Sequence, residues 1–150
     1  MPQSLSKLLV HLVTSTKDRR PLLTPAICPE LYAYIAAIIK ACDCHAVKIG
    51  GVGDHIHILL ALSKNYAVSK IVEEFKKSSS KWIKTKGTEF ADFGWQNGYG
   101  AFSISQSHCN DVVRYIEMQD EHHRKMTFQE EYREFLQKYQ ISFDERYVWE

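Results

Sequence analysis

Cys44-His45-Ala46-Val47-Lys48-Ile49 and His55-Ile56-His57-Ile58-Leu59-Leu60-Ala61-Leu62, joined by Gly50-Gly51-Val52-Gly53-Asp54, decide how this chain folds. Both flanking runs are apolar and of strand length, and the glycine-rich stretch between them suits a tight reversal. The three together predict a β-hairpin. Side chains alternate faces along a strand, so His55 and His57 point the same way, about 7 Å apart at Cα. Ile56, Ile58 and Leu60 then face the opposite side, into a core. Leu59 and Ala61 share the histidine face, which must therefore be partly covered. A helix lying over it could carry further residues of a site.

Working outward, Leu8 to Thr14 alternates enough to be a strand and ends in the polar Ser15-Thr16-Lys17-Asp18 loop. Thr24-Pro25 offers an N-cap and a first-turn proline. Ile27, Leu31, Tyr34, Ile35, Ile38 and Ala41 then recur at helical spacing, predicting a helix to about Ala41. Val68, Ile71, Val72, Phe75, Trp82 and Ile83 mark a second helix, roughly Val68 to Lys84, with lysines on its other side. Gly98 to Ser105 reads as a strand. A third helix is expected from about His108 to Arg124, with Ser107 as its N-cap. Thr127-Phe128-Gln129-Glu130 has capping-box spacing and opens a fourth helix through Tyr132, Phe135, Leu136 and Tyr139. The order β-α-β-β-α-β-α predicts an α+β fold: a ferredoxin-like antiparallel sheet with helices packed on it and a helical C-terminal tail. Residues 1–150 are expected to form one domain.

Bulk properties narrow the class. Apolar residues make up 45% and charged residues 25% of the 150, as in an ordinary folded domain. The most apolar stretch, Leu31 to Ile39, is far too short to span a bilayer, and no signal-like run follows Met1 to Lys7. A cytoplasmic protein without a membrane partner is expected. Cys28, Cys42, Cys44 and Cys109 have no C-x-x-C spacing, which favours free thiols. Net charge is only +1, but seven lysines face two glutamates between Lys64 and Lys86, whereas acids outnumber bases from Glu117 onward. A basic middle suits phosphate tracking, and solvated helix faces of differing sign fit the same count.

Two imidazoles on one strand face can share a metal ion, although plain alternation on a half-exposed strand gives the same pattern. Two ligands hold an ion weakly, so a third is needed. On the His108–Arg124 helix, Val112, Tyr115, Gln119 and His122 share a face. A tyrosine hydroxyl beside a metal-bound phosphate is a competent nucleophile; tyrosines on helices also serve simply in packing. Adjacent His122 and His123 diverge on a helix and are expected at the surface. Cys42, Cys44 and His45 could join the strand histidines as a zinc site, although Cys42-x-Cys44 is not a standard spacing. Lys76-Lys77-Ser78-Ser79-Ser80-Lys81-Trp82 collects ammonium and hydroxyl donors suited to phosphates. Trp82 and Trp95 could stack on a base, with core packing the plainer reading.

Asp54-His55-Ile56-His57-Ile58-Leu59 resembles the HUH motif (His, hydrophobic, His) of the smallest insertion-sequence transposases, which act on single-stranded DNA. His11 to Arg20, Gly98 to Ser103 and Thr127 to Leu136 resemble further stretches of that family in the same order. Its Tyr-Ile-x-x-Gln stretch matches Tyr115-Ile116-Glu117-Met118-Gln119. The resemblance implies Tyr115 as nucleophile, and His55, His57 and Gln119 as ligands of a divalent ion, Mg2+ or Mn2+. It places Lys76, Lys77, Ser79 and Lys81 on a DNA-binding helix. It also implies a 5′-phosphotyrosine intermediate, subterminal DNA hairpins as substrate and a homodimer, with the tyrosine helix acting in cis or in trans. The absence of a G-x-x-x-x-G-K-[ST] loop agrees with chemistry that needs no nucleotide triphosphate. A non-catalytic nucleic-acid-binding module of the same fold is the alternative, and a zinc hydrolase built on Cys42 and His45 a third reading.

Overall fold

The computed structural model describes residues 2–150. Four strands, β1 (Leu8–Ser15), β2 (His45–Val52), β3 (His55–Leu62) and β4 (Gly100–Ile104), form one sheet in the order β2-β3-β1-β4. Every pairing is antiparallel. Among the described residues there are also five α-helices: α1 (Cys28–Ala41), α2 (Val68–Ile83), α3 (Cys109–Glu117), α4 (Gln119–His122) and α5 (Phe128–Lys138). This is the expected α+β, ferredoxin-like arrangement.

The sheet sorts its side chains by parity, as a pleated strand must. Leu12, Ile56, Ile58 and Leu60 face α1 and α2 and join Leu31, Ile35, Ile39, Ile71 and Phe75 in the larger core. On the opposite face Leu9 and Leu59 pack with Ile116 of α3, while Val13 and Phe102 pack with Phe128, Tyr132 and Leu136 of α5. His11, His55 and His57 lie on this second face and are at most 2% exposed. Helices do cover the histidine face, leaving Leu59 buried and Ala61 partly buried.

Two glycines set how closely those helices sit. A Cβ on Gly50, which lies opposite His57 in the β2–β3 register, would stand 2.8 Å from both Cγ2 and the carbonyl oxygen of Ile116. A Cβ on Gly100 would stand 2.7 Å from the Tyr132 ring. Absence of a side chain at these points lets α3 and α5 approach the sheet.

Boundaries shift in places. β2 continues to Val52, so the hairpin turn is confined to Gly53 and Asp54. Thr24 to Ile27 form a turn, and α1 begins at Cys28 with Pro29 in its first turn. Ser107 does not cap α3; its hydroxyl and that of Ser105 lie beside Nδ1 of His108 instead. The third helix is broken at Met118, which leaves helical geometry between α3 and α4. Thr127 caps α5 as its spacing predicts, accepting from the Glu130 amide at 3.2 Å.

Candidate active site

Each histidine of β3 is held from behind. Nδ1 of His55 lies 2.8 Å from Oδ1 of Asp54, the last residue of the hairpin turn. Nδ1 of His57 lies 2.8 Å from Nε2 of His11 on the neighbouring strand. These contacts fix both rings with Nε2 pointing away from the sheet, toward α3, α4 and α5. A ligand histidine commonly engages its second nitrogen in this way.

The helix break at Met118 brings three further groups into the same space. Tyr115, near the end of α3, directs its hydroxyl at Oε2 of Glu131. Gln119, at the start of α4 and 1% exposed, accepts from Nε2 of His55 at 3.0 Å and donates to Oε2 of Glu131 at 3.1 Å. His123 places Nε2 3.1 Å from the Gln119 amide oxygen and 3.2 Å from Oε1 of Glu131. The spacing-based expectation for His122 and His123 is therefore corrected. The ring of His122 packs 4.4 Å from that of Tyr115, and His123 belongs to the site. The two rings do diverge, His122 toward Tyr115 and His123 toward Gln119 four residues before it, and both residues are half-buried.

Glu131 sits at the centre, 1% exposed. Its Oε1 is 3.0 Å from Nε2 of His57 and 3.3 Å from Nε2 of His55. Sequence reasoning passed over this residue because it lies in a helix whose pattern looked wholly structural. The signal available was weak: a glutamate on the side of α5 that also carries Phe128 and Leu136.

Electrostatics follow from this crowding. Burial alone would raise the Glu131 pKa, but hydrogen bonds from His123, His55 and His57 hold the carboxyl well below its usual range. Burial would lower that of His55, yet Asp54 and Glu131 outweigh it and raise the value to about 9. Burial, aided by the neighbouring His57, pulls His11 down to about 3, and burial also lowers His57. Burial first, and then the Glu131 charge, push the Tyr115 phenol above its ordinary value. Among the described residues no buried side-chain nitrogen or oxygen lacks a partner.

The donor set suits a divalent cation. His55, His57, His123 and Glu131 each offer a ligand atom within 4.8 Å of the others, and the Gln119 amide oxygen adjoins them. Buried imidazoles and a carboxylate on one point are the chemistry such ions select. Tyr115 also lines a cleft of about 710 Å3, with His108, Lys138 and Tyr139 on other walls, so one side of its ring faces open space.

The remaining sequence candidates separate. Lys77 and Lys81 of α2 are exposed. The Lys76 ammonium donates to the carbonyls of Gln96 and Gly98 at 2.8 and 2.7 Å, and burial lowers its pKa to about 8. Ser79 is fully buried and accepts from the Trp95 indole at 3.0 Å. Two of the three Lys76 donors are thus engaged within the chain, and the Ser79 hydroxyl is buried. Trp95 is a core residue, and Trp82 stacks on Tyr34 at 4.9 Å. Cys42 and Cys44 are buried free thiols and His45 is exposed, with no metal-ligand grouping among them.

The tyrosine and the histidines of one chain thus meet without help from a second copy. The ring centroids of Tyr115 and His57 are 5.7 Å apart. No curated protein matches the chain. Among solved structures it resembles a candidate transposase from Deinococcus radiodurans R1, with a TM-score of 0.62 and 21% identity over 79% of this chain and 98% of that one. It also resembles a REP-associated tyrosine transposase bound to a REP hairpin, with a TM-score of 0.61 and 16% identity over 82% of this chain and 73% of that one. At these identities the likeness establishes the fold alone. The family model "Transposase IS200 like" matches residues 4–119, from before β1 to Gln119. That stretch is most of the molecule, and the chain belongs to the IS200-like transposase family.

Proposed function

We propose that this chain cleaves and rejoins single-stranded DNA, with Tyr115 as nucleophile and His55, His57 and Gln119 holding a divalent ion, Mg2+ or Mn2+. The observation that carries the reading is the convergence of the Tyr115 hydroxyl, the Gln119 amide and both β3 imidazoles on one carboxylate. A nucleophile and a set of ligands occupy one buried point, at the edge of an open cleft.

When bound, the ion would polarise the scissile phosphodiester and offset charge on its oxygens. Tyr115 releases its phenolic proton, and its oxygen bonds phosphorus. The bond from phosphorus to the 3′ oxygen breaks, and that oxygen takes up a proton and leaves as a hydroxyl. A 5′-phosphotyrosine remains and conserves the phosphodiester energy. Attack by a 3′-hydroxyl reverses the exchange and reseals the strand. Asp54 and His11 keep the two imidazoles aimed inward throughout. Exposed Lys77 and Lys81 track phosphates along α2.

The substrate proposed is single-stranded DNA carrying hairpins near element ends, in keeping with the hairpin bound by the structural relative. A homodimer working in the cytoplasm completes the reading, with residues 1–150 as one domain. No helix among the described residues is long and apolar enough to cross a membrane.

Labelled single-stranded DNA from the flanks of the encoding locus, incubated with Mg2+ or Mn2+ and run on a denaturing gel, tests the proposal. A metal-dependent protein–DNA adduct is expected, absent in Tyr115→Phe and in His55→Ala. DNA that binds the intact protein yet never forms the adduct would replace this reading with a non-catalytic binding module.

A further inference from the structure

Three imidazoles, not two, aim the same nitrogen at the same oxygen. Nε2 of His57, His123 and His55 lie 3.0, 3.2 and 3.3 Å from Oε1 of Glu131. Each ring is anchored through Nδ1: His55 by Asp54, His57 by His11, and His123 by the Met126 carbonyl at 2.8 Å. Anchoring of this kind selects the nitrogen left free for a metal. His123 and Glu131 both lie beyond residue 119, where the family match ends.

We propose that His123 and Glu131 are additional ligands of the ion held by His55, His57 and Gln119, completing a buried site of three nitrogens and two oxygens. The proposal rests on the reading of His55 and His57 as metal ligands and extends it to the segment after the tyrosine helix. A purely structural role fits poorly. A carboxylate and three imidazoles buried on one point cost desolvation that apolar side chains of similar volume would avoid.

The two carboxylate oxygens divide the work. Oε1 faces the imidazoles, while Oε2 accepts from Tyr115 and Gln119. Ligation through Oε1 leaves Oε2 able to hold the phenol, so Tyr115 is positioned one carboxylate away from the ion. Ligation also offsets carboxylate charge that would repel phosphate. The donor set sets a preference as well: three imidazoles favour Co2+, Zn2+ or Mn2+ over Mg2+.

Metal-stripped full-length protein is titrated with Co2+, followed by visible absorption and calorimetry, for the wild type, His55→Ala, His123→Ala and Glu131→Gln. His123→Ala and Glu131→Gln are each expected to weaken Co2+ binding by about tenfold or more and to change the visible bands. If both bind with wild-type affinity and spectrum while His55→Ala does not bind, the added ligands are overturned and the three-ligand reading survives. If wild type takes up no divalent ion, or His55→Ala binds like wild type, the underlying reading fails instead. Should Glu131→Gln not fold, wild type labelled with 15N-histidine decides. Added Zn2+ should shift the Nε2 resonances of His55, His57 and His123 and spare exposed His45 and His108. An unmoved His123 resonance overturns the proposal.

Discussion

Tyr115 donates its hydroxyl hydrogen bond to Oε2 of Glu131, sixteen residues further along the chain and on a different helix. The proposed nucleophile is thereby tied to an anion, and burial together with that anion keeps its proton on. Three imidazoles converge on the other oxygen of the same carboxylate. The state of Glu131 therefore sets the state of Tyr115.

One consequence is a pH dependence of adduct formation at saturating metal. The Tyr115 pKa lies above its ordinary value of about 10, so the phenolate fraction grows with every step up from neutral pH. The single-turnover rate should rise by up to about tenfold per pH unit from pH 6.5, with no plateau below pH 8. Saturating metal is essential, because protons on His55, whose pKa is raised to about 9, also compete with an ion. A rate already flat at pH 7 would show that Tyr115 reacts without passing through the protonated, Glu131-bound form.

The close seat of α3 on the sheet gives a second prediction. Ala at position 50 places its Cβ against the Ile116 carbonyl, a backbone atom that cannot rotate aside. Gly50→Ala should cost about 1–3 kcal/mol of stability and displace α3 with its tyrosine. Adduct formation should fall more than DNA affinity, since the exposed lysines lie on α2, across the sheet. A melting temperature and rate both equal to wild type would show that α3 is not held by this contact.

The α2 candidates can be separated by salt. Lys77→Ala and Lys81→Ala should each lower the slope of log affinity against log salt by about 0.7, as expected when one contact to a single strand is lost. Ser79→Ala should leave that slope alone and destabilise the fold by about 1–3 kcal/mol, because the buried Trp95 indole loses its acceptor. An unchanged slope in both lysine variants would remove α2 from the DNA path.

Legibility differed between sheet and site. Strand parity in His55 to Leu62 placed both histidines and required a covering layer, because a two-residue period is purely local. Tyr115 and Gln119 were singled out by the resemblance of Tyr115-Ile116-Glu117-Met118-Gln119 to the family's stretch; four-residue spacing allowed them to share a face but picked out neither. His123 was misplaced because only its adjacency to His122 was weighed and not its four-residue spacing from Gln119, whose carbonyl still accepts from the His123 amide at 3.0 Å. Glu131 was invisible because its role depends on how α5 docks on the sheet, a contact fixed by Phe128, Tyr132 and Gly100 rather than by any pattern around the glutamate. Lys76 and Ser79 looked like surface donors because the carbonyls and the indole that engage them come from the remote segment around residues 95–98.

The contact between Asp54 and His55 supports the last prediction. The carboxylate lies 2.8 Å from Nδ1 and is the leading influence raising the His55 pKa against burial. Behind a metal ligand it would fix the ring and increase the basicity of Nε2. Asp54→Asn keeps the shape and removes the charge, so it should weaken metal binding by about tenfold or more. Half-maximal adduct formation should then need correspondingly more Mn2+, while the rate at saturating Mn2+ recovers to near wild type. That recovery distinguishes loss of orientation from loss of fold. A Mn2+ requirement identical to wild type would mean that Asp54 does not act through His55, and that the hairpin turn only shapes the backbone.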